Sequence, residues 1–317
     1  MKNMLGMAAL GAAALLTTGL ACAADVPLWA YGIPPGPVTP AAPAAPDPSM
    51  KQLPGNSLSF TRAQISNGFG PADWYPGDHP AMPPIVAKGK EPAVRACSLC
   101  HYPNGKGRAE NAPVSGLPTA YFIQQMMDFR NDLRTSAETR KANTKAMAVF
   151  AKAMTDDEIK QAAEYFGAIK WTPWIKVVES KTAPKTRIQN GLYLAEGEEK
   201  EPLGNRIIEV PVNAEATEVL RDPHSGFIAY APIGSIKKGE ALVKAKQCAL
   251  CHGDGLKGLG PLPGLAGRSP SYLMRQMYDM QHGFRKGLWI DLMKPVVANL
   301  TDQQLLEISA YVAAQTP

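Results

Sequence analysis

Two stretches of this chain carry the same helical rhythm of core-facing positions. Phe122, Gln125, Met126 and Phe129 fall on one helical face, and Leu273, Gln276, Met277 and Met280 repeat it. A second helix follows in each stretch. Its stripe is Ile159, Ala162, Ala163 and Phe166 in the first, and Leu305, Ile308, Ser309 and Val312 in the second. Both of these helices open on a capping box, Thr155-x-x-Glu158 and Thr301-x-x-Gln304. A further helix is predicted over 237–247, with Leu242, Ala245 and Ala249 on its inner side. The stretch 171–235 has another texture. Its apolar runs at 174–178, 206–212 and 227–232 are short, separated by turns, and read as strands.

Aligning the two stretches shows a duplication. Tyr121 and Tyr272 lie 151 residues apart, as do Gln125 and Gln276, Asp128 and Asp279, and Arg134 and Arg285. The second copy then loses five residues, so that Met147 matches Met293, Thr155 matches Thr301 and Tyr165 matches Tyr311 at an offset of 146. Each copy is expected to form one small helical domain, over 56–170 and 236–317, with 171–235 as an interdomain segment. The length of 317 residues fits two domains.

The ends of the chain differ from these copies. Lys2 followed by the apolar run 4–20 and the small residues Ala21-Cys22-Ala23 reads as a secretory signal, cleaved after residue 23. Lipidation of Cys22 is the less favoured alternative, because Gly19 stands where a leucine is usual. Residues 24–55 are rich in proline and alanine and are expected to form an extended arm.

Chemistry enters through one word written twice at the same 151-residue offset: Cys97-Ser98-Leu99-Cys100-His101 and Cys248-Ala249-Leu250-Cys251-His252. Two thiols three residues apart, followed directly by histidine, form the attachment signature of a c-type haem. A zinc site would need four ligands gathered in one place, and a redox dithiol has no use for the histidine. Cys97, Cys100, Cys248 and Cys251 are therefore assigned to two covalently bound haem c groups, with His101 and His252 as proximal iron ligands. Each histidine is expected to donate its other ring nitrogen to a loop carbonyl near Pro113 or Pro263.

For the sixth iron ligand the duplication selects Met147 and Met293, each eight residues before a capping threonine. Met154 aligns with Leu300, a position that needs only an apolar side chain, and Met126 and Met277 read as core. His282 aligns with Asn131, while His79 and His224 lie outside the copies, so all three are taken as ordinary histidines.

The formal charge of +5 falls to +4 once Lys2 is removed, and the carboxylates of two haems bring the total close to neutral. No nucleic-acid or membrane-surface footprint is indicated.

With these motifs in place, the chain resembles the two-haem class I c-type cytochromes and is similar to the periplasmic c-four cytochromes. The likeness covers residues 90–170 and 236–317. It rests on the two CxxCH words, the Pro-x-Leu-Ala-Gly run at 263–267, the Tyr-x-x-x-Gln helix and the matched methionines. It implies a mainly α fold of two tandem cytochrome c domains, joined by an irregular, short-strand linker and preceded by the Pro-rich arm. It also implies a periplasmic carrier moving single electrons from a donor (a dehydrogenase or a quinol oxidoreductase) to an acceptor such as a terminal oxidase. On this reading the partners are redox proteins, with no nucleic acid and no small-molecule substrate, any membrane association is loose and through partners, and the chain is not an enzyme. The alternatives are a di-haem peroxidase, which would make the two distal sites unlike, and the cytochrome subunit of a dehydrogenase complex. The long arm and the long interdomain segment depart from the family, and the first copy lacks the Leu-Ala-Gly run.

Overall fold

The computed structural model describes residues 26–37 and 47–317; the signal and Cys22 lie outside the described residues. A short helix α1 (Leu28–Tyr31) comes first, followed by the strands β1 (Met50–Gln52) and β2 (Ser59–Thr61), paired antiparallel, and the helices α2 (Arg62–Ile65) and α3 (Pro84–Ala87). The first copy then forms α4 (Cys97–His101), α5 (Thr119–Arg130), α6 (Ala142–Ala153) and α7 (Asp156–Ala168). Five strands follow: β3 (Ile175–Glu179), β4 (Thr182–Gln189), β5 (Leu192–Pro202), β6 (Ile208–Pro211) and β7 (Phe227–Ala231). The second copy supplies α8 (Ser235–Ala245), α9 (Ala249–His252), α10 (Pro270–Gln281), α11 (Ile290–Val297) and α12 (Asp302–Ala314).

The helices obey the expected local rules. Both capping boxes form: the Thr155 and Thr301 hydroxyls accept from the backbone N–H of Glu158 and Gln304, and each threonine backbone N–H donates to that residue's side chain in return. Ile159, Ala162, Ala163 and Phe166 are buried, as are Leu305, Ile308, Ser309 and Val312. On α10 the face rotates slightly: Met274 and Tyr278 are the most buried side chains, and Met277 is only half-buried. On α8 the inner face is Gly239 and Val243, while Ala245, and Ala249 at the start of α9, are exposed. The cause is the close crossing of α8 and α12. A Cβ on Gly239 would sit 2.0 Å from the Glu307 carbonyl oxygen, so glycine sets which face turns inward.

The segment 171–235 is more ordered than a linker needs to be. The strands β3, β7 and β6 make one mixed sheet, β3 parallel and β6 antiparallel to β7. The strands β4 and β5 form a hairpin through Asn190-Gly191, both at positive φ (52° and 84°), and Asn-Gly is the preferred two-residue turn of this geometry. That dipeptide was the available signal for the hairpin, which the apolar runs alone do not show.

The expectation of an extended arm over 24–55 is corrected where the structure describes it. Ala30 and Tyr31 are each 1% exposed and join the core of the second copy. The Tyr31 hydroxyl donates to Asp279, Lys141 donates to the Tyr31 carbonyl, and Arg140 donates to the Pro34 and Gly36 carbonyls. Two aromatic residues in the stretch Leu28–Tyr31 provide apolar area that the proline-rich composition as a whole conceals.

Candidate functional site

In the first copy, α4 carries the motif and its histidine faces a cavity of about 310 Å³. Cys97, Cys100 and His101 line one side. Met126, Met147 and Met154, with Phe122, Phe129 and Phe150, supply most of the apolar wall. Four cations, Arg95, Arg134, Lys141 and Arg275, also reach it.

His101 Nδ1 is 2.8 Å from the Ala112 carbonyl, the neighbour of the expected Pro113, whose own carbonyl accepts from Arg268. Burial pulls the His101 ring below its usual value and keeps it neutral, opposed by the bond to Ala112. With Nδ1 committed to the carbonyl, the neutral tautomer leaves the Nε2 lone pair available to a metal. Burial also pushes the Cys97 thiol up to about 12.

The second copy repeats this local arrangement. His252, 7% exposed, has Nδ1 2.9 Å from the Pro263 carbonyl and is held below its usual value by burial. Ala112 and Pro263 are themselves 151 residues apart, so the two histidines are oriented by corresponding carbonyls. Cys248 is half-buried and Cys251 exposed. Met293 on α11 packs against the second core together with Met277 and Cys248. The donor set therefore fits a covalently attached haem in each copy: two thiols, a pinned neutral imidazole and methionine sulfur nearby.

Of the sequence-selected residues, Cys97, Cys100, His101 and Met147 are brought to one cavity. Met126 and Met154 line the same cavity, so the structure brings Met147 to it without singling it out. The three other histidines are engaged elsewhere. His79 contacts Asp73 at 3.0 Å, His224 contacts Asp78 at 2.7 Å, and exposed His282 stacks on Tyr278.

Between the copies lies a polar network that sequence reasoning missed. Arg134 donates to Gln125 of its own copy and to Tyr272 and Gln276 of the other. Arg285 donates to Gln276 of its own copy and to Tyr121 and Gln125 of the other. The two arginines also pair through an isolated antiparallel bridge. All six residues were visible as matched pairs, and a matched polar set was the signal that the copies meet about a two-fold-like contact.

Comparison with known proteins agrees with this chemistry. Residues 86–170 match the cytochrome c family, and residues 234–312 match the family described as cytochrome c oxidase, cbb3-type, subunit III. The chain is 37% identical over 73 residues to cytochrome c-554(548) of Halomonas halodenitrificans, covering 23% of this chain and 88% of that protein. It is 41% identical over 83 residues to cytochrome c4 of Pseudomonas aeruginosa, covering 26% of this chain and 39% of that protein. It is 26% identical to the thiosulfate dehydrogenase electron acceptor of Thiomonas intermedia, covering 71% of this chain and 80% of that protein. This last relative corrects one expectation. The chain cannot be set apart from enzymes, because a protein it matches over most of its length is named as part of a dehydrogenase system. The CxxCH word reports how haem is attached and is silent on the reaction that haem serves. The chain belongs to the c-type cytochromes, is similar to the cytochromes c4, and has two cytochrome c domains, each implying one covalently bound haem c.

Proposed function

We propose that this chain is the exported electron-accepting cytochrome of a dehydrogenase system. It would take electrons one at a time and pass them to a further redox protein such as a terminal oxidase. Haem iron held by histidine and methionine supplies reversible one-electron chemistry, because a thioether favours the ferrous form and raises the potential. Cys97 with Cys100, and Cys248 with Cys251, would form the thioether attachments. His101 with Met147, and His252 with Met293, would be the axial pairs. The carbonyls of Ala112 and Pro263 fix each imidazole tautomer and orientation. In this reading the two copies are tandem domains, 56–170 and 236–317, and the signal over 1–23 directs the chain to the periplasm. Among the described residues no helix is long and apolar enough to cross a membrane.

One observation carries the proposal: both copies orient their motif histidine by a carbonyl at the same repeat position, 11 residues on. Matched sites suit two similar electron carriers better than one carrier feeding one open, peroxide-reactive site. The role as acceptor for a dehydrogenase is supported by the length over which the chain aligns with the Thiomonas protein.

The intact mass of the purified, denatured protein should exceed the polypeptide by two haems. Met147→Ala and Met293→Ala should each abolish the weak far-red absorbance of one sulfur-ligated ferric haem and lower that haem's potential. Met154→Leu should leave the spectrum unchanged. A mass showing fewer than two haems defeats the proposal. Loss of the band in Met154→Leu but not in Met147→Ala defeats the ligand assignment in the first copy.

A further inference from the structure

We propose that Lys141 holds a propionate carboxylate of the first haem, a contact for which the second copy has no counterpart residue. This rests on reading the first cavity as a haem site and adds a difference between the two sites.

Four cations line that cavity; Arg95 is exposed, and of the three buried ones two are well supplied with acceptors. Arg134 reaches Gln125, Tyr272 and Gln276, while Arg275 reaches the carbonyls of Ala30, Ala109 and Asn111. Lys141, 3% exposed, makes one hydrogen bond, from Nζ to the Tyr31 carbonyl at 2.9 Å, and forms no ion pair among the described residues. An ammonium group has three donors, and burying it without an anionic partner costs several kcal/mol. Burial, reinforced by the charge of Arg275, pulls the group down to about 7, against the opposing attraction of Glu110.

Glu110 does not supply the missing partner. Its Oε1 is taken by Arg108 and Asn111, its buried Oε2 has no hydrogen-bond partner, and it forms no ion pair with Lys141 among the described residues. The group that brings carboxylates into a cavity lined by the CxxCH residues is the porphyrin itself. A propionate against Lys141 would give the ammonium its anion and restore its charge, on the same logic that makes buried charges paired charges.

The duplication explains why only one site has this device. Lys141 lies in the stretch between Arg134 and Met147, where the first copy is five residues longer. That stretch also receives the N-terminal helix, through Arg140 on Pro34 and Lys141 on Tyr31, and Ala137 donates to Asp279. A cation beside the first haem disfavours the ferric state, which carries the extra positive charge, and so raises that haem's potential relative to the same site without it.

The test is a redox titration of the full holoprotein, after haem mass has verified two haems. Lys141→Met should lower one of the two one-electron steps by about tenfold in its equilibrium constant, about 59 mV, and leave the other in place. Lys141→Arg, which keeps the charge, should retain the wild-type values. Lys145→Met, an equal change of charge at an exposed position on α6, should shift neither step. Equal shifts of both steps, no shift, or an equal effect from Lys145→Met would overturn the inference. Should Lys141→Met not accumulate, NMR of lysine ammonium groups in the reduced wild-type protein decides. One ammonium signal protected from exchange and sensitive to oxidation supports the contact, and its absence refutes it. A sample with two haems but no selective shift refutes only this inference, whereas a sample lacking a haem refutes the reading beneath it.

Discussion

The two CxxCH motifs differ by one residue in five, Ser98 against Ala249, and lie in opposite surroundings. Leu99, between the first pair of cysteines, is 8% exposed; Leu250, at the same place in the second, is 71% exposed. The difference comes from chain outside the duplicated copies. Arg221 donates to the Leu99 carbonyl, Tyr102 to the Thr217 carbonyl, and Asn104 to the Pro223 carbonyl. Trp74 and Arg62 hold the same stretch from the other side, through the carbonyls of Leu220, Glu218 and Val219. Leu53, Ile65, Trp74 and Leu220 close a small core of their own. The segment before the first motif and the segment between the copies thus cover the first motif together, while Ala249, Leu250 and Cys251 of the second are exposed. A duplicated motif keeps its covalent chemistry, but its accessibility is decided by whatever chain packs over it.

The comparison breaks most sharply at the matched leucines. Leu99→Glu would bury an unpaired carboxylate and should destabilise the protein by about 3 kcal/mol or more, whereas Leu250→Glu should stay within about 0.5 kcal/mol of wild type. Denaturant unfolding of the holoprotein measures both. Equal costs would show that the first motif is not covered in solution.

A smaller effect is expected where the copies resemble each other. Arg134→Ala and Arg285→Ala each remove three hydrogen bonds from the shared network and should cost about 2 kcal/mol apiece. Because both arginines bond Gln125 and Gln276, the double variant should depart from additivity by at least about 0.5 kcal/mol. Strict additivity would mean that the two halves of the network act independently.

The smallest effect concerns pH and the cover over the first motif. The hydrogen bond to Asp73 raises His79 above the usual histidine value of 6.5, against the opposing effect of burial. A raised folded value means that its stabilisation is fully present below pH 6.5 and is lost as pH rises through that folded value. His79→Gln should therefore lower the melting temperature most at acidic pH, with the gap to wild type closing on the alkaline side. A gap that widens with pH would reverse the assigned charge state.

Much of this was legible in the residues. The capping boxes Thr155/Glu158 and Thr301/Gln304 fix helix starts by bonds within four residues, so sequence alone places them. The strands near 175–179, 208–211 and 227–231 followed from short apolar runs, but their mixed pairing did not, since sheet order is a long-range property. Tyr31 could not be assigned to the core from a proline-rich neighbourhood. Its burial depends on Asp279 and Lys141, which are more than 100 residues away in the chain.

The sequence by itself determined the covalent chemistry and the duplication, because both are written as fixed local spacings: Cys-x-x-Cys-His, matched methionines, and an offset that changes by five. Only the tertiary structure decided which motif is covered, how Arg134 and Arg285 interlock the copies, and that Lys141 is buried beside one site alone. Local spacing specifies what a residue can bond nearby; burial and partnership depend on surfaces that distant segments bring together.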